Sequence, residues 1–297
     1  MKFKTVLAAA FLAVASLANA ATKGNGTITV KATKASKQLV ESWANAYMQV
    51  RPEINVVIVD KAEGANISIV NGISEGLDVA NVGRFALLPV TPVDNPLYKE
   101  VAQKQWGEKD IKKLFFQTEE DLYQDASEKS KKEKLSEKLV VFSGTSTSSA
   151  AQAFAQHFGF SKGDIRGKRI AGDDLYLLNA IQKDKQSVTF NNLAYLFDLN
   201  SRQLKHDIAV LPLNVKKEFE AILQSGNLDD TIKLLENEAI STIPVENVAF
   251  QLNNFNSDVD DFLSWVVTDG QQYNNQAGFL RLSNRDAKQQ LQLLAKR

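Results

Sequence analysis

The chain lacks cysteine altogether and has only two histidines among its 297 residues. The absence of cysteine excludes disulfides, thiolate metal sites and cysteine nucleophiles. His157 and His206 stand apart in the sequence and do not form a metal-ligand spacing such as His-Glu-x-x-His. The sequence also has no Gly-x-Ser-x-Gly elbow, no P-loop and no dinucleotide fingerprint. It therefore predicts that the protein is not an enzyme and uses neither a cofactor nor a bound metal.

Neither sign of charge is in excess, because the chain has 35 Lys and Arg residues and 35 Asp and Glu residues. A balanced charge creates no global field that would recruit nucleic acid or a membrane surface. Nucleic acid is therefore not expected as a partner. An anion, if one is bound, has to be held by local geometry.

After residue 20 the chain has no apolar run long enough for a membrane anchor. Before it, Lys2 and Lys4 precede an apolar run from Val6 to Leu17, and small residues follow in an Ala-x-Ala triplet that ends at Ala20. This order is typical of a cleavable secretory signal peptide at 1–20. We expect cleavage after Ala20 and a periplasmic or secreted mature protein. Lipid attachment is not expected, because no cysteine follows the apolar run.

Strand-like and helix-like segments alternate along the mature chain. The β-branched run Ile54–Val59 is typical of a buried strand, and apolar residues recur with helical spacing from Ser36 to Val50. Further strands are predicted at 27–32, 66–70, 77–90, 139–142, 187–190, 194–197, 208–211 and 248–252, and further helices at 150–158, 258–267 and 286–295. The alternation predicts an α/β fold with a mainly parallel sheet. The mixed-sign stretch at 119–138 indicates a solvated helix or a mobile insertion, with a docking surface as the alternative.

Three runs of sequence carry a family resemblance. They are VGRFALLPVTPVDNPLYKEV at 82–101, TFNNLAYLFDLNSRQLKHDIAVLPLN at 189–214 and FLSWVVTDGQQYNNQAGFLRLS at 262–283. Together they resemble the phosphate-binding, periplasmic-binding-protein-like family that serves ABC phosphate transporters. The residues that fall where the family pattern places them are Ile111, Leu114, Phe115, Trp265, Gly270, Gln271, Tyr273, Gly278, Leu282 and Ser283.

The resemblance implies a periplasmic-binding-protein-like (type 2) α/β fold, in which two crossing strands join two lobes and a ligand cleft lies between them. On that basis we expect lobe I at 21–85 plus 245–297 and lobe II at 86–244. The resemblance also implies a small oxyanion as ligand, phosphate first, and a membrane ABC permease as partner of a monomeric protein.

Two strand-to-helix turns fit an anion site in such a cleft. Helix N-termini offer unsatisfied N–H groups and the positive end of the helix dipole to an anion. The first turn supplies Thr33, Lys34 and Ser36, and the second is rich in hydroxyls that can donate or accept. The ligand-binding residues predicted in the second turn are Ser143, Thr145, Ser146, Thr147, Ser148 and Ser149. A Ser/Thr N-cap whose other hydroxyls face water is the alternative explanation of that turn.

Two departures from the family pattern bear on binding. The pattern has an arginine where this chain has Ala151, so binding would rest on neutral donors, with Lys34 as the nearby cation. The pattern also has an aspartate that accepts a proton from phosphate. One alignment puts this aspartate at Asp78, whereas a rival alignment, which we favour, makes 82–90 the crossing strand and leaves Asp78 in a turn.

Two functions stay open from the sequence. The first is a solute-binding protein for phosphate or a related oxyanion. The second is a binding-protein-like module that has lost its ligand and serves as an interaction protein of the envelope.

Overall fold

The computed structural model describes residues 26–71, 78–117, 134–145 and 149–296. The predicted signal peptide, most of the charged stretch at 119–138, and the hydroxyl residues Ser146, Thr147 and Ser148 lie outside them. Among the helices of the described ranges, none is both long and apolar enough to cross a membrane.

The strands are β1 (Gly26–Lys31), β2 (Ile54–Val59), β3 (Ile67–Asn71), β4 (Val79–Pro92), β5 (Val140–Gly144), β6 (Lys168–Ile170), β7 (Ser187–Asn192), β8 (Phe197–Asp198), β9 (Gln203–Leu204), β10 (Ile208–Val210) and β11 (Val245–Leu252). The α-helices are α1 (Lys37–Val50), α2 (Tyr98–Gln103), α3 (Glu108–Phe115), α4 (Leu135–Lys138), α5 (Ser149–His157), α6 (Leu175–Lys183), α7 (Leu193–Leu196), α8 (Lys217–Gln224), α9 (Leu228–Asn237), α10 (Ser257–Val266) and α11 (Asn284–Leu294). Short 3-10 turns lie at Lys162–Asp164, Asp269–Tyr273 and Asn275–Ala277.

Nine of the described strands form one sheet in the order β2-β1-β3-β11-β4-β7-β5-β6, with β10 paired to β4. The pairs β1–β2, β1–β3, β5–β7 and β5–β6 are parallel. Every pair that includes β4 or β11 is antiparallel. The expectation of a mainly parallel sheet is therefore wrong. The alternation of strands and helices along the chain correctly indicates the local parallel pairs. It does not show that β4 and β11 lie between these pairs in the sheet and run antiparallel to their neighbours.

Strand β4 connects the two halves of this sheet. Its first part pairs with β11 up to Ala86, and its second part pairs with β7 from Leu87 onward. All of its residues except Arg84 are buried, as expected for a strand covered on both faces. The change of partner lies beside the predicted lobe boundary at 85/86, although the lobe limits themselves stay a prediction.

The C-terminal helices pack against the first half of the sheet. In the core of that half, the ring of Tyr47 on α1 meets the ring of Phe262 on α10 edge-on at 5.0 Å. The indole Nε1 of Trp43 donates to the carbonyl oxygen of Gly270 at 2.9 Å. The chain therefore returns to the first half of the sheet after passing through the second half.

One predicted strand is a helix in the structure. Residues 194–197 were expected to be a strand, but Leu193–Leu196 form α7, and only Phe197 enters a strand. The side-chain oxygen of Asn192 accepts a hydrogen bond from the backbone N–H of Tyr195 at 3.1 Å. This N-cap stabilises a helical turn that the β-propensity of the aromatic residues does not reveal.

Candidate functional site

A cavity of about 140 Å³ lies between the two halves of the sheet. The residues that line it come from both halves: Thr33, Ala35, Phe85, Ser149, Ala150, Gly172, Asp173, Asp174, Asn192 and Tyr195. A water molecule occupies about 30 Å³ of the liquid, so the cavity has room for only a few waters or a ligand of similar size.

Four helices begin at this cavity. The turn with Thr33 precedes α1, Ser149 is the first residue of α5, Asp174 directly precedes α6, and the Asn192 side chain caps α7. The positive ends of the dipoles of α1, α5 and α6 thus lie near one small space, whereas α7 is only a single turn. Such an arrangement favours negative charge or hydrogen-bond acceptors in the cavity.

The first predicted turn is closed on itself. The hydroxyls of Thr33 and Ser36 are 2.8 Å apart, and the Ser36 hydroxyl also accepts from the backbone N–H of Thr33 at 3.0 Å. Ser36 is 1% exposed and does not line the cavity. Thr33 lines the cavity, so the Ser36 hydroxyl acts here by orienting Thr33.

Lys34 lies beside the cavity rather than in its wall. Its Nζ is 5.4 Å from the centre of the ring of Tyr176, a residue of α6 in the other half of the structure. A cation over an aromatic face gains a modest electrostatic attraction. Lys34 therefore contacts α6 outside the cavity wall, and the described wall of the cavity contains neither lysine nor arginine.

The second predicted turn is divided between strand, turn and helix. Ser143 lies inside β5 and is 0% exposed, and its hydroxyl has no hydrogen-bond partner within the described residues. The backbone N–H of Thr145 donates to the carbonyl oxygen of Ile170 at 3.1 Å. Of the described residues in this turn, Ser149 lines the cavity. The structure thus brings Thr33 and Ser149 together across the cleft.

Two acidic residues that the sequence analysis did not single out, Asp173 and Asp174, also line the cavity. Asp173 and Asp174 follow Gly172, whose φ of +100° lies in the left-handed region. Asp173 Oδ1 accepts the backbone N–H of Leu175 at 2.9 Å and so satisfies one donor at the start of α6. A Gly-Asp-Asp run before a helix is a visible capping signal, but its place opposite Thr33 depends on the tertiary fold.

Tyr195 completes the polar wall. Burial raises the pKa of its phenol, and the neighbouring Asp173 carboxylate raises that pKa further. The phenol therefore stays neutral and keeps its proton. Its oxygen is buried and lies near Asp173, yet it makes no hydrogen bond of normal geometry with another described residue. The protonated Tyr195 hydroxyl therefore lies beside the Asp173 carboxylate in the polar wall of the cavity.

Asp78 lies far from this cavity. It is exposed and directly precedes β4, seven residues before the lining residue Phe85. At about 3.3 Å per strand residue the two are about 23 Å apart along the chain. The Asp78 carbonyl accepts the backbone N–H of Leu252 at 2.8 Å. This placement agrees with the rival alignment, in which Asp78 is a turn residue.

Comparisons with solved structures match this fold to binding proteins. A Clostridium perfringens protein, named as a phosphate ABC transporter substrate-binding protein and solved with phosphate bound, aligns with a TM-score of 0.57. It is 11% identical, and the match covers 86% of this chain and 100% of that one. An ABC-type phosphate transport receptor of Vibrio cholerae gives a TM-score of 0.53 at 10% identity, with 86% and 100% coverage. PstS of Borrelia burgdorferi gives 0.50 at 10% identity, with 87% and 100% coverage.

These likenesses establish the fold. The chain has the periplasmic-binding-protein-like α/β architecture, with two lobes joined by crossing strands and a cleft between them. No protein-family model matches the chain, and no curated protein matches its sequence. Among the described residues, no group of three or more His, Cys, Asp or Glu side chains could hold a metal ion.

Proposed function

We propose that the protein is an extracytoplasmic solute-binding protein that holds a small protonated oxyanion, phosphate first, and delivers it to a membrane ABC permease. The observation that carries this proposal is the convergence of four helix starts on a cavity of about 140 Å³ between two lobes. The cavity size suits a ligand of a few heavy atoms. The helix ends supply partial positive charge without lysine or arginine.

The proposed ligand contacts come from both predicted turns. Thr33 and Ser149 line the cavity, and Ser146, Thr147 and Ser148 directly precede Ser149 in the sequence. We assign anion binding to these hydroxyls and to the first N–H groups of α5. Lys34, Ser36, Ser143 and Thr145 are predicted from the sequence as ligand-binding residues, but they do not line the cavity, and we propose that they support the two turns instead. The signal peptide at 1–20 and the lobe limits at 85/86 and 244/245 belong to the same proposal.

The two carboxylates define which oxyanion fits. Asp173 and Asp174 repel a fully deprotonated anion, whereas a ligand that carries an O–H can donate that proton to a carboxylate oxygen. Phosphate and arsenate carry such a proton near neutral pH, and sulfate does not. We therefore expect the cleft to distinguish the first two from the third.

Calorimetric titration of the mature protein with phosphate, arsenate and sulfate tests this function. Phosphate and arsenate should bind and sulfate should not.

Asp173→Asn should admit sulfate, because an asparagine can still cap α6 while its NH₂ group donates to the ligand. Ser149→Ala should weaken phosphate binding by about 1–3 kcal/mol if its hydroxyl is a buried donor. Equal binding of sulfate by the wild type and by Asp173→Asn would contradict the role of Asp173.

The second candidate function is an envelope interaction module that has lost its ligand. The observation that favours it is the described cavity wall, where two carboxylates and no lysine or arginine occur. In that case neither phosphate nor arsenate should bind at low ionic strength. This result would remove the oxyanion function and leave the interaction module.

A further inference from the structure

A second pocket lies outside the interlobe cleft, between the edge strand β6 and helix α6. We call it the β6–α6 pocket, and its volume is about 490 Å³, several times that of the interlobe cavity. The residues that line it are Phe142, Lys168, Ile170, Tyr176, Asn179, Ala180, Lys183 and Asp184. Its volume lies within the range of about 300–1,000 Å³ that is usual for small-molecule sites.

The strand side of the pocket follows from β-alternation. In the parallel pair of β5 and β6, Phe142 stands opposite Lys168 and Gly144 opposite Ile170, so Phe142, Lys168 and Ile170 share one face. Lys168 Nζ lies 5.4 Å from the centre of the Phe142 ring and 3.0 Å from Asp184 Oδ2. An aromatic floor therefore lies directly beside a cation.

The helix side of the pocket follows from helical spacing. Tyr176, Asn179, Ala180 and Lys183 lie at i, i+3, i+4 and i+7, which places them in one stripe of α6. The helix residues that enter the core are others, namely Leu177, Leu178 and Ile181. Ala180 stands in the middle of the lining stripe, and its short side chain leaves the space above the strands open.

The rim of the pocket is positive. Lys168 is paired with Asp184, whereas Lys183 is exposed and has no ion pair within the described residues. Lys34 adds a further ammonium, because its Nζ is 5.4 Å from the centre of the Tyr176 ring. Tyr176 is 43% exposed, so an aromatic ring of a ligand can reach its side chain. Apolar and aromatic walls with an excess of ammonium groups suit an aromatic anion.

We propose that the β6–α6 pocket binds a small aromatic monoanion of one or two fused rings. The ring system packs between Phe142 and Tyr176 over Ala180. The acidic group lies at the rim near Lys183. This site is separate from the interlobe cavity, and it does not depend on whether the cleft binds an oxyanion.

The test uses 2-naphthoate as the probe, with 2-naphthylmethylammonium as the matched cation, in calorimetry or ligand-observed NMR on the mature protein. Wild type should bind 2-naphthoate and bind the ammonium compound much more weakly. Lys183→Glu should weaken naphthoate binding by about threefold to tenfold, as expected when an exposed charge is reversed. Ala180→Trp should abolish naphthoate binding by filling the pocket.

Lys217→Glu is the control, because Lys217 is an exposed lysine at the start of α8 and does not line the pocket. It should leave naphthoate affinity unchanged. Circular dichroism checks whether Ala180→Trp is folded. If it is not folded, the effect of Lys183→Glu on naphthoate binding tests the proposal. The proposal is overturned if 2-naphthoate does not bind, if the ammonium compound binds equally well, or if Lys183→Glu behaves as Lys217→Glu does.

Discussion

At the scale of single residues, the Glu236 carboxylate joins helix α9 to the C-terminal segment. Its side chain is only 9% exposed. It accepts the backbone N–H of Arg281 at 2.8 Å, the Arg281 Nη2 at 2.6 Å and the Asn275 Nδ2 at 2.8 Å. Burial alone would raise the pKa of Glu236, but the Arg281 and Asn275 donors hold that pKa below its ordinary value.

The lowered pKa makes this contact dependent on pH. Because the folded-state pKa lies below the unfolded value of about 4.3, the ionised carboxylate stabilises the fold fully above that pH. The stabilisation is lost as the pH falls through the folded-state pKa. Glu236→Gln should therefore reduce the free energy of unfolding by about 1–3 kcal/mol near neutral pH. The difference between wild type and variant should shrink in acid.

Urea denaturation of both proteins across the pH range from about 7 to about 3 measures this difference. Glu238→Gln is the matched control, because Glu238 is exposed on the same segment and has no ion pair within the described residues. It should have little effect at any pH. A cost of Glu236→Gln that stays constant down to the lowest pH would show that the ionised carboxylate is not its cause.

At the scale of secondary-structure elements, helix α5 is held by an aromatic cluster under its inner face. Phe154 stacks on Phe190 of β7 with ring centres 3.8 Å apart, and it meets Phe115 of α3 edge-on at 4.9 Å. Phe154 is fully buried. Because α5 begins at the interlobe cavity with Ser149, this cluster also positions the proposed anion donors.

Phe154→Ala should lower the free energy of unfolding by about 3–5 kcal/mol, because it removes a buried ring and leaves a cavity. Phe160→Ala is the comparison. Phe160 stacks on Phe116 at 4.3 Å, but it is only partly buried, so its loss should cost clearly less. Urea denaturation gives both values. An equal cost of the two changes would mean that the cluster is not centred on Phe154.

The sequence predicts these elements well where one local signal dominates. The β-branched run Ile54–Val59 is a strand with those limits, and the helical spacing after Ser36 predicts α1 to within one residue. The prediction fails at Leu193–Leu196, where a single cap by Asn192 outweighs β-propensity. A single hydrogen bond can determine whether a short segment forms a helix or a strand, and the hydrophobic pattern of the sequence does not reveal such a bond.

The site is predictable only in part for a related reason. The turns at Thr33 and Ser149 follow from hydroxyls placed between a strand and a helix, and both line the cavity. The carboxylates of Asp173 and Asp174 belong to a third such turn, which lies nearly 25 residues further along the chain. Its arrival at the same cavity depends on how β5, β6 and β7 order themselves in the sheet. The spacing of residues along the chain does not reveal the order of the strands in the sheet.

At the scale of the whole molecule, Arg202 adds contacts between the predicted lobes to those made by β4, β11 and Glu236. Arg202, in predicted lobe II, has a φ of +61°, a backbone conformation that is uncommon for residues other than glycine. Its guanidinium donates to the carbonyl oxygens of Asn275 at 2.7 Å and Gln276 at 2.9 Å, both in predicted lobe I, and pairs with Asp229. These contacts hold the strained turn and restrict how far the lobes can separate.

Arg202→Ala should therefore widen the range of interlobe distances, because the two carbonyls lose their link to lobe II. The chain has no cysteine, so Val57→Cys and Lys217→Cys provide one unique labelling site in each predicted lobe for spin-label distance measurement. Arg169→Ala is the control, because its guanidinium also donates to two carbonyls, those of Gly163 and Ile165, but within lobe II. We expect a broader distance distribution for Arg202→Ala and an unchanged one for Arg169→Ala. Equal widths in the two variants would mean that Arg202 does not limit the angle between the lobes and that other contacts, such as those of β4, β11 and Glu236, fix it.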